Sequence, residues 1–102
     1  MLLLTEEIKK KLPKLYSQEN VSDPICVWKM FTPDAGWTWY ITEGEEQDDG
    51  DWLLFGKVVS PMCPKGEIGY ISLNELKSVR GAYGLFVERD MYWDEKPLSQ
   101  CK

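Results

Sequence analysis

Apolar positions along this chain fall into short clusters whose spacing changes, and the spacing predicts the elements. Leu4, Ile8 and Leu12 recur every four residues, the stripe of an amphipathic helix. A short helix is therefore expected over Glu6 to Leu12, with Thr5 as N-cap, Glu6 and Glu7 at its positive end, Lys9 to Lys11 at its negative end, and Pro13 as its stop. Its role reads as structural. Ser17 to Pro24 is polar and rich in turn formers and reads as a connection.

Strand patterns follow. Ile25 to Thr32 is apolar on both faces, as expected of a central strand. Thr32-Pro33-Asp34-Ala35-Gly36 is a turn by its chemistry, because Pro presets φ, Asp bonds its own backbone and Gly permits positive φ. Trp37 to Thr42 then alternates, placing Trp37, Trp39 and Ile41 on one face and Thr38, Tyr40 and Thr42 on the other. Trp52 to Ser60 is a further strand in which Gly56 marks a bulge or a close approach. Pro61 to Gly66 reads as a turn and Ile68 to Ile71 as a short fourth strand. Ser72-Leu73-Asn74-Glu75 is a capping box that opens a second helix carrying Leu76 and Val79, with Gly81 expected to end it. Leu85 to Trp93 predicts a fifth strand with Val87, Met91 and Trp93 inward and Glu88 and Asp90 outward; the polar tail from Asp94 receives no element. The links between the first four strands are too short for parallel crossovers. The expected fold is α+β, a largely antiparallel meander sheet of about five strands with two short helices, in a single domain over residues 1–102.

Composition narrows the function classes. A chain of 102 residues with 43% apolar and 13% aromatic content has enough apolar surface for one packed core. It contains no histidine, which removes the usual near-neutral general base, the commonest zinc ligand and the ordinary Ser/His and Cys/His nucleophile pairs. A net charge of −5 argues against a duplex-DNA binder that works by phosphate neutralisation. That charge has an address: Glu43, Glu45, Glu46, Asp48, Asp49 and Asp51 fall within nine residues, and without those six, eleven acids face twelve bases.

The start, from Met1 to Leu4, lacks a basic leader and meets Glu6 and Glu7 at once, and no stretch is long enough to span a membrane, so a cytoplasmic protein is expected. Cys26, Cys63 and Cys101 are odd in number, widely spaced and without a Cys-x-x-Cys pair, and read as free thiols. No catalytic residue, metal site or cofactor is assigned.

Four constellations invite chemistry. The acidic run reads as a solvated hairpin loop able to meet a protein partner with a basic surface; an EF-hand register fails, since with Gly50 sixth the twelfth position is Gly56 and not Glu. Alternatively, Trp37, Trp39 and Tyr40 with Arg80 and Arg89 could form an aromatic and arginine-lined pocket for a nucleotide or single-stranded nucleic acid. Gly81-Ala82-Tyr83-Gly84 matches the Gly-x-x-Gly clamp of KH domains, but its first Gly stands where a helix should end. Glu88 and Asp90 share a strand face as paired carboxylates would, but with Arg89 between them on the opposite face an exposed charged strand is the favoured reading.

Certain landmarks occur together: Leu12-Pro13 with Leu15-Tyr16, Phe31-Thr32-Pro33, Trp37-Thr38-Trp39-Tyr40, Phe55-Gly56, Gly69-Tyr70-Ile71-Ser72-Leu73 with Glu75-Leu76, and Val87-Glu88-Arg89-Asp90 before Tyr92. In these the chain resembles a small family of domains of unknown function found on plasmids, integrative elements and phages, from about Leu3 to Leu98. The acidic run and Pro61 to Gly66 depart from the family's pattern. The resemblance implies an accessory protein of a mobile element, and by analogy of setting an inhibitor of a host defence nuclease.

Overall fold

A computed structural model describes residues 2–101; Met1 and Lys102 lie outside it. The chain runs α1 (Glu6–Lys11), β1 (Ile25–Cys26), β2 (Trp28–Phe31), β3 (Thr38–Glu46), β4 (Trp52–Ser60), β5 (Cys63–Ser72), α2 (Leu73–Ser78), β6 (Glu88–Arg89), β7 (Lys96–Pro97) and a 3₁₀ turn, Leu98–Gln100. Five strands form an antiparallel sheet in the order β5-β4-β3-β2-β6, and β1 pairs with β7 in a second small sheet. The fold is α+β with a meander sheet, as the strand spacing predicts.

Alternation along β3 divides the interior in two. Trp39 and Ile41 face a core shared with Trp28, Met30, Leu54, Val87, Leu73 and Leu76 of α2, and Leu3 and Leu12 at the ends of α1. Tyr40 points to the other face and packs with Cys26 and Cys101, flanked by Trp93 and Leu98. Both helices start as their caps predict: Thr5 accepts from the Ile8 amide at 3.2 Å and Ser72 from the Glu75 amide at 3.3 Å.

Several boundaries differ from expectation. The strand foreseen over Ile25 to Thr32 breaks at Val27, because Cys26 lies in the small cluster while Val27 and Trp28 both lie in the large one, an arrangement that strict alternation cannot give. β2 nevertheless lies inside the sheet, between β3 and β6, as its two apolar faces predict. β3 also runs past Thr42 to Glu46 by way of a bulge, with Ile41 opposite Gly56 and Glu43 opposite Phe55. Gly56 is there for a close approach, since a Cβ at that position would sit 2.0 Å from the Tyr40 carbonyl oxygen. The turn expected from Pro61 to Gly66 is tighter: Ser60 already pairs with Cys63, and residues 64–66 bulge from β5, the sheet's edge, where Pro64 loses no ladder hydrogen bond.

α2 ends with Val79 as its cap rather than at Gly81. Gly81 instead admits the Asp34 carboxylate, whose Oδ2 accepts the Tyr83 amide at 2.7 Å. Only Glu88–Arg89 of the expected last strand pairs with β2; the Asp90 amide makes the last bond to that strand, at the Lys29 carbonyl, and the chain then turns away, with the Asp90 carboxylate taking the Tyr92 amide. Met91, expected inward, is 60% exposed, whereas Val87 is buried in the large core and Trp93 packs half-buried against the small one. The polar tail does carry structure: β7 docks on β1, and Asp23 binds both the amide and the hydroxyl of Ser99, at 2.9 and 2.6 Å.

Candidate functional site

The acidic run is not one loop. Glu43 to Glu46 belong to β3, the turn covers residues 47–51, and β4 begins at Trp52. Glu43 is only 4% exposed; its Oε1 accepts the Tyr16 amide at 2.9 Å and its Oε2 the Gln18 amide at 2.7 Å. Gln18 in turn donates to the Thr42 carbonyl at 2.7 Å and accepts the Ile25 amide at 2.9 Å. A single buried carboxylate thereby orders the connection between α1 and β1, satisfying backbone donors that a loop otherwise leaves to water.

Asp51, at the far end of the run, is also spoken for. Its Oδ2 accepts the Ser72 hydroxyl at 2.5 Å, and its Oδ1 accepts the amides of Asn74 at 2.9 Å and Trp52 at 2.7 Å. The Ser72 hydrogen bond holds this carboxyl below the ordinary value, with the Asn74 and Trp52 amides and nearby Lys77 acting in the same direction against desolvation. Ser72 is itself the N-cap of α2, so Asp51 fastens the end of the hairpin turn to the start of that helix.

Between these anchors stand Glu45, Glu46, Asp48 and Asp49, all exposed. Glu45 and Glu46 end β3, and the turn that carries Asp48 and Asp49 is tied by Gln47 N–H to the Asp51 carbonyl at 2.8 Å, Gly50 N–H to the Gln47 carbonyl at 3.0 Å and the Asp51 amide to Asp49 Oδ1 at 2.9 Å. No ion pair among the described residues involves these four acids; the pairs present are Lys9 with Glu6, Lys11 with Glu7 and Glu95, and Lys29 with Asp90. The partner-binding set read from sequence thus loses Glu43 and Asp51 to internal bonding and retains the four acids at a pre-ordered tip.

The aromatic and arginine-lined pocket is not assembled. Trp39 and Tyr40 are 5% and 3% exposed and point to opposite faces of the sheet, while Trp37 stacks on Trp39 with centroids 6.0 Å apart. Arg80, beyond α2, donates to the carbonyls of Lys77 and Val79, both at 2.9 Å, and lies over the Phe86 ring at 3.6 Å. Arg89, on β6, donates to the Leu2 carbonyl at 3.1 Å. Glu88 and Asp90 part company as well: Glu88 borders an apolar groove with Leu2, Leu85 and Phe86, and Asp90 pairs with Lys29 at 3.8 Å.

Gly81 and Gly84 close a tight turn through the Gly84 amide to Gly81 carbonyl bond. No group of three or more His, Cys, Asp or Glu among the described residues is arranged to hold a metal ion, and no helix is long and apolar enough to cross a membrane. All three cysteines are free, and burial pushes the Cys26 and Cys101 thiols up from the ordinary value.

A second concavity lies on the Tyr40 face, between the 16–24 connection and the β4–β5 edge. It encloses about 460 Å³ and is lined among others by Tyr16, Glu19, Glu43, Phe55, Ile68 and Tyr70. The Tyr70 ring sits 5.0 Å from Phe55, its cross-strand partner, and 6.4 Å from Tyr16, each at 62°. Sequence pattern gives no sign of this grouping, because its rings come from three segments that only the bulged β3–β4–β5 meander brings together. The one local signal would have been Phe55 and Tyr70 facing each other across a hairpin.

No curated protein and no solved structure gives a significant match to the chain. One family model does match, over residues 3–101, nearly the whole chain. The chain therefore belongs to the family described as Protein of unknown function (DUF2958).

Proposed function

We propose that this protein is a non-enzymatic accessory binding protein of a phage or mobile element, which engages a protein partner through the acidic tip of the β3–β4 hairpin. The partner surface would be basic, such as the nucleic-acid groove of a host defence nuclease. The observation that carries this reading is the contrast within the run: Glu43 and Asp51 are consumed in fastening the hairpin, and Glu45, Glu46, Asp48 and Asp49 stand at its end without a counter-charge. A tip whose backbone is tied in place has little backbone freedom to lose on binding, and the shared sign of its carboxylates accelerates encounter with a cationic surface in a salt-dependent way.

The test replaces all four by their amides, Glu45→Gln, Glu46→Gln, Asp48→Asn and Asp49→Asn, and compares capture from host lysate and the affinity for the captured partner at low and high salt. Weaker capture and a flatter salt dependence are expected. A variant that binds the same partner equally well at both salts removes this mechanism.

A further inference from the structure

The cleft on the Tyr40 face has a chemistry of its own. We infer that it is a binding site for an organic cation, one carrying a substituted ammonium or guanidinium head on an apolar stem. Three observations converge on that class of ligand.

The first is charge. Two carboxylates, Glu19 and Glu43, line the cleft, and no Lys or Arg does. Glu43 is almost wholly buried, yet it is met only by the backbone amides of Tyr16 and Gln18 and by no cation. An anionic ligand would be repelled, whereas a cation would supply the counter-charge that no described Lys or Arg gives either to Glu19 or to Glu43, whose oxygens meet only backbone amides.

The second is the wall. Tyr16 and Phe55 each meet the Tyr70 ring edge-to-face, at 62°, so the wall is made of tilted rings and not of a stack. Tilted rings of this kind attract a cation through their quadrupoles, and the attraction grows as the head group is desolvated. The phenol of Tyr70 is pushed up from its ordinary value, first by a hydrogen bond with the Tyr16 side chain, then by desolvation, then by Tyr16, Glu43 and Glu19 nearby, so the negative field reaches the ring that a cation would contact. A volume of about 460 Å³ accommodates such a head with its stem.

The third is the backbone. Tyr16 is the one non-glycine residue with positive φ among those described, at 69°, a conformation that L side chains rarely adopt. Its amide is bonded to the Glu43 carboxylate, so the acid that charges the cleft also holds Tyr16 in the strained conformation that sets its ring beside Tyr70.

Choline and a trimethyl-lysine peptide are titrated into the full chain by NMR, with 3,3-dimethylbutan-1-ol as the uncharged isostere of choline. Saturable shifts confined to the amides near Tyr16, Phe55 and Tyr70 are expected for at least one of the two cations. Which cation binds more tightly reports whether the head is presented free or on a peptide. Affinity for the neutral isostere should be weaker by about tenfold. Tyr70→Ala, at an exposed edge position, should weaken the cation by a similar factor. Tyr16→Gly should also lose binding while the fold is kept, because glycine adopts that φ freely. The four-amide hairpin variant should bind choline normally, since none of those acids lines the cleft, so the fate of this site is separable from that of the acidic tip. Absence of saturable shifts with both cations, equal binding of the neutral isostere, or an unaltered affinity in Tyr70→Ala would each overturn the assignment.

Discussion

Two acids that close the acidic run and four that form its tip have the same chemistry and nearly the same place in the chain, yet they do opposite work. Glu43 enters the sheet beside a bulge, where its side chain turns under the 16–24 connection and meets two backbone amides. Asp51 meets the start of α2. Among the described residues, Glu45, Glu46, Asp48 and Asp49 meet nothing of opposite charge. A run of like charges is thus a poor unit of interpretation, because position relative to unpaired backbone donors decides which carboxylates are structural.

The largest expected effect concerns the buried member. Glu43→Ala removes an acceptor shared by two amides and should lower the unfolding free energy by roughly 3 kcal/mol in urea titrations, whereas Glu45→Ala should cost under about 0.5 kcal/mol. Glu43→Gln is a finer probe, since its amide group presents donors where Tyr16 and Gln18 also donate. Faster hydrogen exchange at those two amides is the expected readout. Equal costs at Glu43 and Glu45 would dissolve the comparison.

Next comes acid sensitivity at Asp51. Its carboxyl is lowered in the folded chain, so its contribution is fully present above the ordinary value of 3.8 and is lost as pH falls through the lower folded value. Thermal melts across that acid range should therefore show a steeper loss for the parent chain than for Asp51→Asn, which starts less stable and has no such carboxyl to protonate. Parallel curves would mean that the Ser72 and Asn74 contacts contribute nothing.

The smallest effect belongs to the tip. Replacing its four acids by amides should leave stability unchanged or raise it by a few tenths of a kcal/mol at low salt, through relief of like-charge repulsion, and the difference should vanish at high salt. A marked destabilisation at the tip would show that these acids are structural after all.

Much of the fold was legible because its signals are local. Thr5 and Ser72 cap their helices as their positions predict, and the alternation from Trp37 to Ile41 placed Trp39 and Tyr40 on opposite faces. What misled were residues whose role is set across the fold. Gly81 looked like a helix end and is a seat for Asp34; Met91 looked like core and lies outside because the chain quits the sheet at Asp90; the polar tail looked unstructured and is held through Asp23 and β1. The ring-and-arginine pocket failed for the same reason, since shared residue types carry no statement about shared location.

Apolar periodicity, cap chemistry and turn residues by themselves determined an antiparallel α+β meander and an acidic segment between two of its strands, because each acts within a few residues of chain. Only the tertiary structure decided which carboxylates are buried, which aromatic rings meet, and that Tyr16, Phe55 and Tyr70 share a cleft with Glu19 and Glu43. Those outcomes depend on a one-residue bulge at Thr42 and on where distant backbone amides come to rest, quantities that emerge when the strands pair and that no local pattern encodes.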